Sequence, residues 1–424
     1  MADDALDVDD LDVDDLDTVL AAAVLLHDNG QSTDMTLIAV DRLNRGLGIS
    51  CTLIPSWSSI LAIGAGPAPP VRVSAANPVG VNMRRVSAAM RVIDRAEDGP
   101  LDRRLVRHAL SDAAGQGSSS AVVFTVACAT GATALSVVFG ANDLRTVGLV
   151  AVSAALGGVF RRVLGRLGIG VLAQVFTAAI LAGLSGAIAV HLGLGEAAGV
   201  AAVCPAMVLV PGPHILNGAM DLLASRIALG ISRLGYATLL LAAIAAGLVL
   251  GLSLGGQMLP LSAADVRVPL YADVLAAGVA AASYPVYFSM PYRMIGWPVA
   301  AGMVAHAAHW WSLTVWHESL ATAALVSCLV VGTALAPIAY RLRIPFAAIG
   351  FAAVVALVPG MYLFRMLAGL VQLSSGASPP LLAAAASNGT VATLVVAGMA
   401  IGLAVPIHIR NAVLAARERR LSDT

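Results

Sequence analysis

The residues best equipped for chemistry lie in one apolar stretch, Pro211-Gly212-Pro213-His214-Ile215-Leu216-Asn217-Gly218-Ala219-Met220-Asp221. His214, Asn217, Gly218 and Asp221 recur at three- and four-residue steps, which places an imidazole, a carboxamide and a carboxylate on one face of a helix. Upstream, a proline that cannot donate a hydrogen bond stands beside a glycine, so the helix breaks and leaves backbone groups unpaired. At membrane depth such a break is tolerated only inside protein or along a wet cavity. Pro213 suits the first turn of the half-helix that follows, and the N–H groups and positive dipole end of that half-helix suit a carboxylate. Asp221 is then expected to bind an amino group or carry a proton, because ionisable groups at membrane depth mark functional sites. The plain alternative is a local pair with Arg226. His214 is either a second proton carrier or a ring that satisfies a carbonyl freed by the break.

The motif occurs twice. Leu209-Val210-Pro211-Gly212 returns as Leu357-Val358-Pro359-Gly360, an offset of 148 residues from Pro211 to Pro359. Pro211, Gly212, Pro213, Pro359 and Gly360 therefore join the candidate substrate-binding set. Arg365, six residues past the second proline, occupies the position equivalent to Asn217, where a fixed cation would meet a substrate carboxylate unless it snorkels or pairs structurally. Asp273 is a further proton-coupling candidate, with Glu196 secondary to it. His306 and His309 precede Trp310 and Trp311, but no third ligand stands near, so interfacial packing is expected there in place of a metal.

The elements that must position these groups are membrane spans. Of 424 residues, 58% are hydrophobic and 12% charged, and mean hydropathy is +0.85, values that place most of the chain in lipid. Apolar segments at about 119–140, 146–164, 168–191, 196–228, 231–256, 269–289, 294–314, 318–339, 344–372 and 388–409 are each long enough to cross. The fourth and ninth contain the Pro-Gly breaks. Arg103, Arg104 and Arg107, then Arg161, Arg162 and Arg166, Arg226 and Arg233, Arg293, Arg341 and Arg343, and the C-terminal arginines fall on one side of such a ten-span chain. Positive residues collect in cytoplasmic loops, so both termini are expected in the cytoplasm. Trp310, Trp311 and Trp316 fall at the opposite boundary. Five spans separate the two breaks, an odd number, which predicts two inverted units sharing a central site.

Before the spans lies a different regime. Nine of the 25 acidic residues fall between Asp3 and Asp17, a stretch read as disordered or weakly helical and the reverse of a secretory signal. Helical periodicity covers Leu16–His27 and Met35–Leu47 with a cap at Ser32 or Thr33. Ile49–Ile63 and Val71–Ala75 are β-prone around Pro55 and the 64–70 breaker run, and Met83–Arg95 and Leu101–Ala109 return to helix. The expected fold is a polytopic α-helical membrane protein of 5+5 spans with a small α+β cytoplasmic head. Its expected divisions are an acidic tail 1–15, a head 16–115, transporter repeats 116–256 and 257–410, and a tail 411–424. All 25 basic residues are arginine, and Cys51, Cys128, Cys204 and Cys328 have no metal or redox spacing. No phosphate-binding loop is present. No cofactor, metal or catalytic residue is expected.

Several of these residues carry a resemblance. Leu26-His27-Asp28-Asn29-Gly30 before a helix that ends at Gly46-Leu47-Gly48, Val81-Asn82-Met83-Arg84-Arg85-Val86, the Pro211–Asp221 segment and Leu357-Val358-Pro359-Gly360 together resemble the threonine/serine exporters, over nearly the whole chain. Gln31-Ser32-Thr33-Asp34 departs from the acidic helix start expected there. The resemblance implies a non-enzymatic secondary exporter of small hydroxy amino acids across a bacterial plasma membrane, coupled to protons by alternating access. Its partners would be a small-molecule substrate, protons and the lipid bilayer, with no nucleic acid, and a homo-oligomer is left open. A small carboxylate or dicarboxylate exporter is the alternative within transport. A membrane hydrolase and a regulatory scaffold are the readings from other classes.

Overall fold

The computed structural model describes residues 8–195, 197–259, 268–341, 346–373, 376 and 378–422. Glu196, Arg267 and Arg343 lie outside them. The head begins with α1 (Val8–Asp28) and α2 (Thr33–Leu47). The acidic stretch is thus helical from Val8 onward, because the apolar spacing of Leu16, Val19, Leu20, Ala23 and Leu26, all buried, makes α1 a core helix. Asn29 and Gly30 turn the chain at a positive φ of 93°, and a Cβ at Gly30 would stand 3.1 Å from Val81 Cγ1. Glycine is required there twice over, by backbone and by space.

β1 (Cys51–Pro55), β2 (Ser59–Gly64) and β3 (Val71–Ala75) form an antiparallel sheet in the order β1-β2-β3. Leu53, Ile60 and Ala62 are buried while Ile54 and Val73 are exposed, the alternation of a sheet covered on one face. α3 (Met83–Ile93) follows, capped by the Asn82 carboxamide oxygen, which accepts from the Arg84 and Arg85 amides. α4 (Arg103–Ala114) closes the head, with the Asp102 carboxylate accepting from Leu105 N–H at 3.0 Å.

The apolar part comprises α5 (Ala121–Val138), α6 (Leu144–Arg166), α7 (Val171–His191), α8 (Ala197–Met207), α9 (Gly212–Leu223) and α10 (Ile227–Leu254). It continues with α11 (Leu270–Tyr287), α12 (Gly296–Thr314), α13 (Leu320–Arg341), α14 (Phe346–Val354), α15 (Gly360–Leu373) and α16 (Pro379–Ser422). Six of these, α5, α6, α7, α10, α13 and α16, are each long and apolar enough to cross a membrane. The pairs α8 with α9 and α14 with α15 qualify together, bent by 70° and 55°, which gives up to eight spans among the described residues. α11 and α12, 18 and 19 residues long, are not among them, and they carry Asp273, His306 and His309 in otherwise apolar sequence. α16 starts nine residues before the expected 388, at Pro379, because the Ser378 hydroxyl accepts from Leu381 N–H at 3.4 Å and proline suits a first helical turn.

The two Pro-Gly breaks have the same local geometry. Gly212 N–H donates to Val210 O at 2.8 Å and Gly360 N–H to Val358 O at 2.7 Å, each a three-residue turn around proline. Pro211, at φ −78° and ψ 57°, has inverse γ-turn angles. Ile215 N–H then bonds Pro211 O as Leu363 N–H bonds Pro359 O, both at 3.1 Å. The similarity extends to whole helices. Adding the 148-residue offset to α5 gives 269–286 against Leu270–Tyr287 for α11, and adding it to α7 gives 319–339 against Leu320–Arg341 for α13.

Packing repeats as well. α7 and α10 touch backbone to backbone, so a Cβ at Gly251 would fall 2.2 Å from Ile180 O, and α13 and α16 approach as closely at Gly402, 2.8 Å from Leu325 O. Small residues four apart allow such approach between apolar helices.

Candidate functional site

The half-helix α9 brings its polar face to the head, and there Asp221 is fully engaged. Asp221 is 2% exposed. One carboxylate oxygen is ion-paired with Arg233 Nε at 3.0 Å and accepts from the Thr33 hydroxyl at 3.1 Å, and the other accepts from Arg226 Nη1 at 3.3 Å. Arg226 reaches across to Asp34 of the head as well. Ser225, at φ 60°, is the middle residue of the three-residue turn between α9 and α10 that brings both arginines back toward Asp221. Arg233 is 1% exposed, and its Nη2 lies 3.4 Å from His27 Nδ1. Since the guanidinium can only donate, Nδ1 accepts and the ring proton sits on Nε2. Burial first, and the Arg233 charge second, lower the His27 imidazole from 6.5 to about 3, so it is neutral at ordinary pH.

The remaining polar residues of that face also meet the head. Asn217 Nδ2 donates to Gly30 O at 3.4 Å. The His214 ring packs edge-on against Tyr236, centroids 5.1 Å apart, and lies 6.3 Å from Trp57 of the β1–β2 turn. Met83 N–H, an unpaired donor at the start of α3, takes Phe288 O at the end of α11 at 2.9 Å, so two helix ends satisfy each other.

The cavity lies behind this face, between the two breaks. Met207, Val210, Gly212, Pro213 and Leu216 line it from the first break, Phe351, Val355, Val358 and Gly360 from the second, and Tyr284 and Phe288 from α11. The space is about 410 Å³ when its open side is counted, but only about 20 Å³ of it, room for one water molecule, is free between the packed side chains, so in this conformation it is closed to a larger molecule. The breaks touch directly, since a Cβ at Gly360 would stand 3.2 Å from Met207 Cγ and one at Gly212 3.8 Å from Val358 Cγ2. No acidic or basic side chain lines the cavity among the described residues.

The structure therefore separates residues that the spacing had grouped. Gly212, Pro213 and Gly360 reach the cavity, with Pro211 and Pro359 forming the turns beside it. His214, Asn217 and Asp221 face the head instead. Asp221 is not free for an ammonium group in this conformation because two guanidinium groups and a hydroxyl occupy its oxygens. The first turn of α9 is also less open than expected: Gly212 N–H is spent on Val210 O, Pro213 has none, and His214 and Ile215 both bond Pro211 O. Arg365 is half-buried on α15 and its Nε has no partner among the described residues, but it does not line the cavity.

Other residues of the site escaped sequence reasoning. Arg233 reads as a loop arginine yet sits in the second turn of α10, fully buried. Thr33 and Asp34 belong to the segment where the sequence departs from its resemblance, and Trp57 lies in a turn. Arg161, also read as a loop charge, donates to the Tyr287 hydroxyl from within α6, while Arg162 stacks 4.0 Å over the Phe124 ring. Asp273 and His306 pair at 3.0 Å, so His306 is more than an interfacial packing residue.

A cavity where two broken helices meet, in a mostly helical chain with six to eight candidate membrane spans, is an arrangement that membrane transporters use. Family comparison gives the particular kind. One family model described as a threonine/serine exporter matches residues 17–255, and a second, described as Threonine/Serine exporter, ThrE, matches 273–409. The chain belongs to the threonine/serine exporter family. No curated protein and no solved structure matches it.

Proposed function

We propose that this chain exports threonine, serine or a closely similar amino acid across the bacterial plasma membrane by proton-coupled alternating access. The observation that carries the reading is that both Pro-Gly breaks line one cavity. On this reading the chain crosses ten times, as two inverted five-span units with both termini in the cytoplasm. Supporting that division, the two family matches part between 255 and 273, and the 148-residue offset maps the helices of one unit onto the other. The substrate carboxylate meets the first turn of α15, with Arg365 one further turn along as its counter-charge once the units rock. Pro211, Gly212, Pro213, Pro359 and Gly360 shape the walls. Asp221, with His214 and Asn217 beside it, belongs to the closed side, where the head seals the cytoplasmic approach, and it becomes available to an ammonium group only when that seal opens.

A small carboxylate or dicarboxylate is the second reading. Asp221 favours it, because a cavity without a free carboxylate holds no ready partner for an amine. The test uses the full chain purified into liposomes with an imposed pH gradient. Uphill movement of labelled threonine that excess serine suppresses supports the first reading. Suppression by dicarboxylates alone supports the second, and no flux of either class refutes both.

A further inference from the structure

A second buried polar cluster lies at the far end of α11 from the cavity. Asp273, in the first turn of α11, is 7% exposed, and His306 of α12 is 2% exposed. His306 Nδ1 lies 3.0 Å from Asp273 Oδ2. A carboxylate only accepts, so Nδ1 carries the proton and Nε2 presents its lone pair. Nε2 is buried and has no hydrogen-bond partner among the described residues. A fully buried imidazole nitrogen, held in the basic tautomer by a carboxylate and otherwise unused, is an empty seat for a proton.

The surroundings isolate the pair. His309, with its ring centroid 6.0 Å away, is the titratable group beside it. Among the elements packed against α11 and α12, α5 contributes Cys128, α14 no titratable residue, and α13 Cys328 with Tyr340 and Arg341 at its opposite end. The short helix Tyr292–Met294 carries Tyr292 and Arg293 at the other end of α12. His317 and Glu318, beyond α12, are exposed. No cation stands against the Asp273 carboxylate in a described ion pair other than His306 itself.

We propose that Asp273 and His306 form the proton-carrying site of the transport cycle. The charge balance is simple. With neutral imidazole the pair holds a net charge of −1. A proton from water binding at Nε2 gives an imidazolium–carboxylate pair of zero net charge, and its loss restores the first state with no other bond changed. Because a low-dielectric interior penalises net charge, the two states favour different degrees of hydration, which is what an alternating-access cycle requires. α11 links this site to the substrate: Tyr284, which lines the cavity, lies eleven residues from Asp273, about 17 Å along the helix. Trp310 Nε1 donates to Val268 O at 2.9 Å and ties α12 to the chain just before α11. On the proposed topology this end faces the outside, the side from which protons enter as substrate leaves.

The inference rests on the proton-coupled export proposed above. Its test separates two activities of the full chain in liposomes: net threonine movement driven by a pH gradient, and exchange of labelled for unlabelled threonine without a gradient. The double variant H306Q/D273N keeps a neutral amide pair and leaves no unpaired buried charge, so it preserves packing. It is expected to lose gradient-driven movement at least tenfold while retaining exchange. Gradient-driven movement at the wild-type level overturns the proposal. Loss of exchange as well also overturns it, since the pair is then needed to move substrate itself. Wild-type protein that exchanges threonine but ignores the gradient refutes proton coupling as a whole, a result distinct from either.

Discussion

Replacing Asp221 by asparagine tests whether this carboxylate fastens the head or holds substrate. The change leaves Arg233, 1% exposed, as a guanidinium without its carboxylate at 3.0 Å. Breaking a buried pair from one side costs about 3–5 kcal/mol. The Arg226–Asp34 contact survives the change and cancels, but these side chains are 26% and 24% exposed, so water reaches the edge of the site and the lower end of that range applies. A net loss of about 3 kcal/mol lowers the docked-to-undocked ratio of the head about 150-fold. Removing both charges reverses the sign. D221L/R233M leaves nothing unpaired, and replacing a buried ion pair by apolar side chains of similar volume is often neutral or stabilising. The assay is limited proteolysis of the exposed 115–118 linker in detergent, read beside threonine flux in liposomes. The single variant should be cleaved faster and the double variant at the wild-type rate, with export low in both because neither offers the substrate ammonium a carboxylate. A double variant cleaved as fast as the single one refutes the fastening role, and a double variant that exports at the wild-type rate refutes the substrate contact.

Three further outcomes follow from the same geometry. Acid should loosen the head: burial and the Arg233 charge hold His27 at about 3 when docked, and undocking removes Arg233 and part of the burial and so raises it toward 6.5, which makes docking strongest above 6.5 and weaker as pH falls toward 3. At about pH 5.5 the loss is at most about 1.4 kcal/mol, or tenfold in linker cleavage, and H27Q should abolish this pH dependence; a slope unchanged in H27Q refutes it. W57A removes the head's ring beside Tyr236, 5.2 Å away, and should raise linker cleavage without altering its salt dependence, whereas R226Q should make cleavage less sensitive to salt. G251A forces a methyl group to within 2.2 Å of Ile180 O and should lower stability by about 1–3 kcal/mol, seen as a fall in the thermal unfolding midpoint in detergent; an unchanged midpoint would show that α7 and α10 can part freely.

The apolar helices were legible because lipid permits few solutions: long apolar runs become helices, and a Pro-Gly pair within one must break it, although α11 and α12, two of the ten expected spans, are not among the helices long and apolar enough to cross. The head was legible for similar local reasons, with Asn82 capping α3 and Asn29-Gly30 turning α1 into α2. The site was legible only in part. Helical spacing correctly put His214, Asn217 and Asp221 on one face, but spacing cannot say which way a face points. It turned toward the head because Thr33 of the head, together with Arg226 and Arg233, supplies the partners that a buried carboxylate needs. Arg233 in particular follows a loop and sits among apolar residues, so positive-inside bookkeeping claims it before pairing can. His306 was discounted for want of a third metal ligand, a criterion blind to a carboxylate one helix away.

The arrangement also explains why one chain would carry a head at all. A carrier that alternates must close one side while the other opens, and in this conformation the head-side closure is made of charges at the interface and apolar contacts behind it. Apolar contacts join the two breaks without preference for ion or substrate. The Asp34–Arg226–Asp221–Arg233 network, by contrast, depends on Asp221 and Arg233 together, since removing either strands the other as a buried charge. Such a network opens in one step. Its opening would free at once the polar face of α9 and the approach to the first break, so the same carboxylate that seals the closed state would be exposed to an ammonium group in the open one. Threonine should then slow linker cleavage in D221N less than in wild type, and equal protection in both would separate the seal from the substrate path.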